Sequence, residues 1–242
     1  MKSIFNIFSV FAICSTVSLM YGQPKNNYHN DNFIIQSALV THHSDLGITV
    51  WEITVSGEAG KTMPNPVGRL DGAPVLGYVF PTSLSPTDVG FNQTDGIVAL
   101  ALTSHPDFDD TPLWDENSDS VYDNDGIVWH PHWVILIKDD RVEGGFSVKQ
   151  FKKEDDAVKL PPTNPGMPMY MDSPGFPVTT NMQRIKVVVP DYRMNNRTDF
   201  KYDAVSAFMQ VNTSNSELPM LGVYQVFSVA SGDLSLPYSV KQ

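Results

Sequence analysis

A single cysteine, Cys14, stands in the whole chain, inside an N-terminal apolar stretch. A disulfide framework, a thiolate nucleophile and a Cys-ligated zinc site are thereby excluded from the rest of the protein. Basic residues are missing over a long internal segment: no Lys or Arg occurs from Leu70 through Ile137. Nucleic acid and anionic membrane surfaces both need a basic face, so neither is an expected partner. No Gly-x-Ser-x-Gly elbow, Walker loop or Gly-x-Gly-x-x-Gly is present, so hydrolase, nucleotide and dinucleotide motifs are all lacking. No amphipathic helix longer than two turns and no internal repeat can be read from the periodicity.

The N-terminus carries Lys2, an apolar run from Ile4 to Ile13 that continues loosely through Leu19-Met20, and Gly22. One positive charge, an apolar centre and a small residue form the pattern of a secretory signal peptide. Cleavage after Gly22 is expected, giving a signal peptide over 1–22 and one mature domain over 23–242. Asn6, Ser15, Thr16 and Ser18 interrupt the run, leaving it short of the ~20 apolar residues of a spanning helix. Ile13 before Cys14 is a poor match to a lipoprotein signal. A secreted or periplasmic protein with no membrane partner after processing is the reading.

Strand signals fill what remains. β-branched and aromatic residues dominate 33–42, 47–55, 75–80, 97–103, 127–137, 146–151, 185–189, 205–211 and 223–229, separated by Pro- and Gly-rich connections. This predicts an all-β fold, an antiparallel β-sandwich or jelly roll of about nine strands with long loops.

The acidic residues are as unevenly placed as the basic ones. Eight carboxylates fall within the nineteen residues from Asp107 to Asp125: Asp107, Asp109, Asp110, Asp115, Glu116, Asp119, Asp123 and Asp125. Like charges this dense repel, which suggests a counter-ion, and calcium takes six to eight oxygens of this kind. Asp115-x-Asn117-x-Asp119 resembles the first half of an EF-hand loop. The resemblance then breaks, since Ser120 replaces the turn glycine and Gly126 stands where a bidentate Glu belongs. A calcium-like loop between strands is the expectation, with Leu113 and Trp114 packing it.

Just beyond it runs Ile127-Val128-Trp129-His130-Pro131-His132-Trp133-Val134-Ile135-Leu136-Ile137. Strand alternation puts His130 and His132 on one face with Val134 and Leu136, and Trp129 and Trp133 on the other. Imidazoles about 7 Å apart along a strand can chelate one ion. Pro131 has no N–H for a ladder, which places this strand at an edge or a bulge. The His-x-His strand resembles those of cupins and α-carbonic anhydrases. Both families take a further histidine from downstream, whereas no histidine follows His132 here. The candidate third ligand is His105, provided 97–103 pairs with 127–137, with Asp107 or Asp109 completing the set. Imidazole plus carboxylate suits zinc, copper or iron. His42-His43 beside Asp45 is a weaker cluster of the same type.

Met167-Pro168-Met169-Tyr170-Met171 spaces three thioethers at alternate positions, which suits either copper or adaptable core filling. The blocks Ser104 to Trp133 and Ala230 to Pro237 resemble segments of a family of secreted bacterial proteins of similar length. That resemblance implies export and a shared fold and names no activity.

The sequence therefore supports a secreted metal-binding β protein, with calcium in the 107–125 loop and a transition metal at a histidine cluster. Its alternatives are a hydrolase-type metalloenzyme, a calcium-braced adhesion or carbohydrate-binding module, and a copper carrier.

Overall fold

Large and small side chains alternate along the strands, and that alternation shapes the molecule. The computed structural model describes residues 28–242, so the signal peptide read over 1–22 lies outside the described residues. Thirteen strands occur in the described part: β1 (Ile35–His43), β2 (Ile48–Val55), β3 (Pro74–Pro81), β4 (Ile97–Ser104), β5 (His130–Lys138), β6 (Phe146–Val148), β7 (Met171–Asp172), β8 (Val178–Asn181), β9 (Arg184–Pro190), β10 (Lys201–Tyr202), β11 (Val205–Val211), β12 (Leu221–Val229) and β13 (Tyr238–Ser239). The nine expected strands are all there. The four that periodicity did not show, β7, β8, β10 and β13, are two to four residues long. They are too short for an alternation to be visible.

Every strand pairing within the sheets is antiparallel, and the fold is all-β. One sheet runs β1-β2-β9-β8. The other runs β4-β3-β11-β12-β6-β5-β7, and an additional β4–β5 pairing closes the first six of these strands into a ring. A closed six-stranded barrel therefore stands where an open sandwich sheet was expected. The closing ladder is long, from Ile97 opposite Leu136 to Thr103 opposite His130. Closure satisfies the edge groups that an open sheet leaves unpaired.

On β4, Val98, Leu100 and Leu102 point out of the barrel, while Ala99, Ala101 and Thr103 point in. On β3, Leu76, Tyr78 and Phe80 point out, and Val75, Gly77 and Val79 point in. The outward set joins Val40, Trp51, Ile53, Ile185, Val187 and Val189 of the four-stranded sheet in one core. Trp51 sits at its centre, edge-on to Phe80 at 5.3 Å and to Trp133 at 5.8 Å between ring centroids. The inward set, with Val134, Val148, Met169, Met171 and Met209, forms a second cluster. Small residues facing a closed barrel cannot fill it. A lumen of about 390 Å³ remains.

Pro131 lies opposite Leu102 of β4, and the short β7 reaches β5 only at Trp133 and Val134. At the proline, β5 thus has a strand partner on one side alone, as its missing N–H requires.

Candidate metal centre

The β4–β5 ladder does what the sequence required of it. Because Thr103 is opposite His130 and Ala101 opposite His132, the residue just past the end of β4, His105, comes level with the start of β5. Its position is fixed by an amide hydrogen bond to the Gly126 carbonyl, at 2.7 Å. Trp129 and Trp133 turn into the core between the sheets, and His130 and His132 turn to the other face. All three histidines are buried, exposed by 2 % or less.

The 105–129 excursion leaves β4 and returns to β5 at the same end of the ladder, and folds Asp110 inward. Asp110 Oδ1 lies 3.1 Å from His130 Nε2, 3.3 Å from His105 Nε2 and 3.4 Å from His132 Nε2. His130 Nε2 is also 3.1 Å from His105 Nε2. All four donor atoms fall within 4.8 Å of one another. Donors held about 2.0–2.1 Å from a zinc ion sit about 3.3 Å apart in a tetrahedron, and the four separations from 3.1 to 3.4 Å match that spacing. This buried group could hold a metal ion.

The outer contacts set the tautomers. His105 Nδ1 donates to the Phe108 carbonyl at 2.9 Å and His130 Nδ1 to the Val128 carbonyl at 2.6 Å. Ser173 gives its hydroxyl proton to the Asp110 carbonyl at 2.6 Å, so its oxygen accepts from His132 Nδ1 at 3.1 Å. With each Nδ1 carrying its proton outward, the three Nε2 atoms face inward toward a carboxylate, and in the metal-free cluster a second proton on His130, at Nε2, is donated to Asp110. His132 Nε2 is buried and has no hydrogen-bond partner. Ring orientation fixed through the second nitrogen is the usual outer shell of a metal site.

The charges of the metal-free cluster agree with this packing. Burial raises the cost of ionising Asp110, but the imidazoles of His132 and His105 outweigh it and hold the carboxyl well below its ordinary range. Burial pushes His105 down. Burial acts on His130 in the same sense, yet its hydrogen bond to Asp110 and the charge of that carboxylate hold it above its ordinary value. One proton on His130 thus stands in for a cation.

The other acidic residues are placed differently from the expectation. Asp110 completes the histidine set, and neither Asp107 nor Asp109 does. Asp107 accepts the Val67 and Gly68 amides. Asp109 accepts from Thr111 and from the Asp125 amide, and Asp125 accepts the Glu116 and Asn117 amides. Asp115 takes the amides of Asp119 and Ser120. Asp119 takes the Val121 amide and the side chains of Asn117 and Asn124. Asp123 is exposed and joins no cluster. Backbone N–H dipoles supply counter-charge to Asp107, Asp109, Asp115, Asp119 and Asp125. Glu116, half-buried, is pushed up to about 7 by that burial, with Asp125 and Asp109 adding to the shift. Trp114 packs the loop as expected, donating to the Ser173 carbonyl at 2.8 Å, while Leu113 is exposed. His42 is bound elsewhere, to Asp191 and Gln242. Met167, Met169 and Met171 line the barrel lumen.

Sequence reasoning missed the supports of the site, namely Ser173 and the Phe108 and Val128 carbonyls. Gly126 is another. A Cβ there would lie 2.0 Å from the Phe108 carbonyl oxygen and 3.0 Å from His105 Nδ1. Gly126→Ala is therefore expected to prise apart the His105 anchor and weaken metal binding ten- to a hundredfold in a competitive chelator titration, roughly the cost of losing an outer-shell contact. Unchanged affinity would show that this anchor does not matter.

No protein-family model, no curated protein and no solved structure matches this chain. The site is accordingly read from its own geometry.

Proposed function

We propose that this chain is an exported protein that holds one divalent first-row transition ion at His105, Asp110, His130 and His132. The carrying observation is that three imidazole Nε2 atoms and one ionised carboxylate converge on a point, each imidazole with its Nδ1 proton committed outward. Electron-rich groups do not gather in a buried place without a positive partner. Three nitrogens and one oxygen favour zinc, with iron and copper next. Calcium is a poor fit at this cluster, because it needs six to eight oxygens and finds one carboxylate. Export rests on the pattern of residues 1–22.

Metal analysis of protein purified without added ions, then dialysed against trace zinc, iron(II) and copper(II), tests the reading. About one equivalent of zinc, iron or copper per chain is expected, and a His130→Ala/His132→Ala double variant is expected to hold none. Substoichiometric metal in the parent protein, or full metal in the double variant, would overturn it.

A further inference from the structure

The ion's surroundings are asymmetric. On one side the 105–129 excursion covers it, and on the other it meets the barrel lumen, whose wall includes His105, Asp110 and His132. From that point the lumen extends along the inward face of β5, past Val134 and Leu136, to Lys138. Six residues of strand make that path about 20 Å long. The volume, about 390 Å³, lies in the range of small-molecule pockets.

The wall between the two ends is apolar. Ala101, Val75, Val79, Val148, Met169 and Met209 face the space. The thioethers are deformable, and they let such a wall adapt to a flexible guest. Polar groups are confined to the ends: the metal cluster at one, Lys138 and Asp233 at the other. Burial falls in the same direction, from His130 through Ile135, which are buried, to Lys138, which is exposed. The guest therefore enters from the Lys138 end.

That mouth is built, and at some conformational cost. Leu234 and Leu236 line it with left-handed backbones, at φ 60° and 54°. A left-handed leucine is an outlier held only by its surroundings, and such strain gathers at ligand clamps. The surroundings here are explicit. Ser231 Oγ accepts the Leu234 amide and donates to Asp203, which is fully buried. The Asp203 amide in turn bonds the Pro81 carbonyl at the end of β3. The Leu234 backbone is thus anchored at the rim, with Leu236 beside it in the lining.

The charge count selects the head group. A divalent ion with three neutral imidazoles and one carboxylate keeps one positive charge in a buried place, and an anionic oxygen from the lumen side would neutralise it. The geometry points to a single-chain amphiphile, an unbranched apolar chain ending in a carboxylate, as the ligand. Its carboxylate oxygen joins the coordination sphere and its chain lies in the lumen. This rests on the metal reading above.

Cobalt(II)-loaded full-length mature protein titrated with acetate, hexanoate and decanoate, followed by visible absorption and by calorimetry, tests it. Decanoate is expected to perturb the cobalt d–d bands. Affinity is expected to rise roughly fourfold per added methylene, the fold-change for burying each one. Val148→Phe, which fills the lumen opposite Leu136 and four residues along β5 from His132, should keep the cobalt spectrum and lose the decanoate response. If that variant does not fold, the chain-length series on the parent protein decides alone. Band changes with no chain-length dependence would overturn the proposal, because the lumen would then hold no chain. Chain-length-dependent binding without band changes would overturn it too, because the head would not reach the ion. Failure to load cobalt at all would be visible before any ligand is added, and would remove the metal reading and this proposal together.

Discussion

Stripping the ion from the purified protein with a strong chelator lowers the melting temperature by roughly 10 °C. The expectation follows from linkage. An ion that binds the folded chain and not the unfolded one, present at a thousand times its dissociation constant, contributes about 4 kcal/mol. For a domain of this size each kcal/mol moves the midpoint by about 2–4 °C. The effect is local in origin. An ion at the cluster would join His105 and Asp110, on the excursion between β4 and β5, to His130 and His132 on β5 itself. Without the ion, the His130 proton bonds Asp110 across the cluster. Scanning calorimetry before and after chelation, with zinc added back, checks this. The His130→Ala/His132→Ala variant should melt at the same temperature in both states. A calcium-selective chelator should leave the parent curve where it was, because Asp115, Asp119 and Asp125 already hold amide hydrogens. A parent protein whose midpoint does not move on chelation would show that the cluster is held together by its proton alone.

The histidine cluster was legible because two simple rules met. Alternation put His130 and His132 on one face, and the position of His105 just past a predicted neighbouring strand brought the third imidazole to the same end. Nothing in the sequence separated Asp110 from Asp107 and Asp109, since the choice depends on where an irregular loop turns. It is made by contacts distant in sequence, such as Ser173 to the Asp110 carbonyl. The energetics of the acidic loop were legible only in part. Charge counting sees carboxylates and does not see the amides that Asx-type turns direct at them, as at Asp119 with Val121. Barrel closure was missed for a related reason. Periodicity identifies strands and their faces, but closure depends on β4 pairing with both β3 and β5. The clue lay in side-chain size: Gly77, Ala99 and Ala101 alternate with Tyr78, Leu100 and Leu102, which marks one face that cannot be filled.

Lowering the pH weakens the metal far more than it weakens the metal-free fold. In the metal-free protein His130 titrates above its ordinary value, because Asp110 outweighs the burial that opposes its charge. The ion must displace that proton. Its apparent affinity is therefore flat above the raised pKa and falls about tenfold per pH unit below it. The His130 contribution to the stability of the metal-free chain runs the opposite way, and that of His105, lowered by burial, opposes it. A histidine whose pKa is raised by folding contributes stability that is fully present below its unfolded value, near 6.5. That contribution is lost as pH rises through the folded value. Glu116, at about 7, titrates in the same window. The informative quantity is thus the difference between the loaded and metal-free melting temperatures. It should be large at pH 8 and narrow steadily through pH 6. By pH 5 it should nearly vanish at micromolar zinc. Asp110, whose folded value is lowered, keeps contributing over that whole range, and its share is lost only as pH falls below its unfolded value, near 3.8. Calorimetry in matched buffers supplies both curves. A gap that stayed constant from pH 8 to 5 would mean that no proton and ion compete for these imidazoles, and the cluster would not be the metal site.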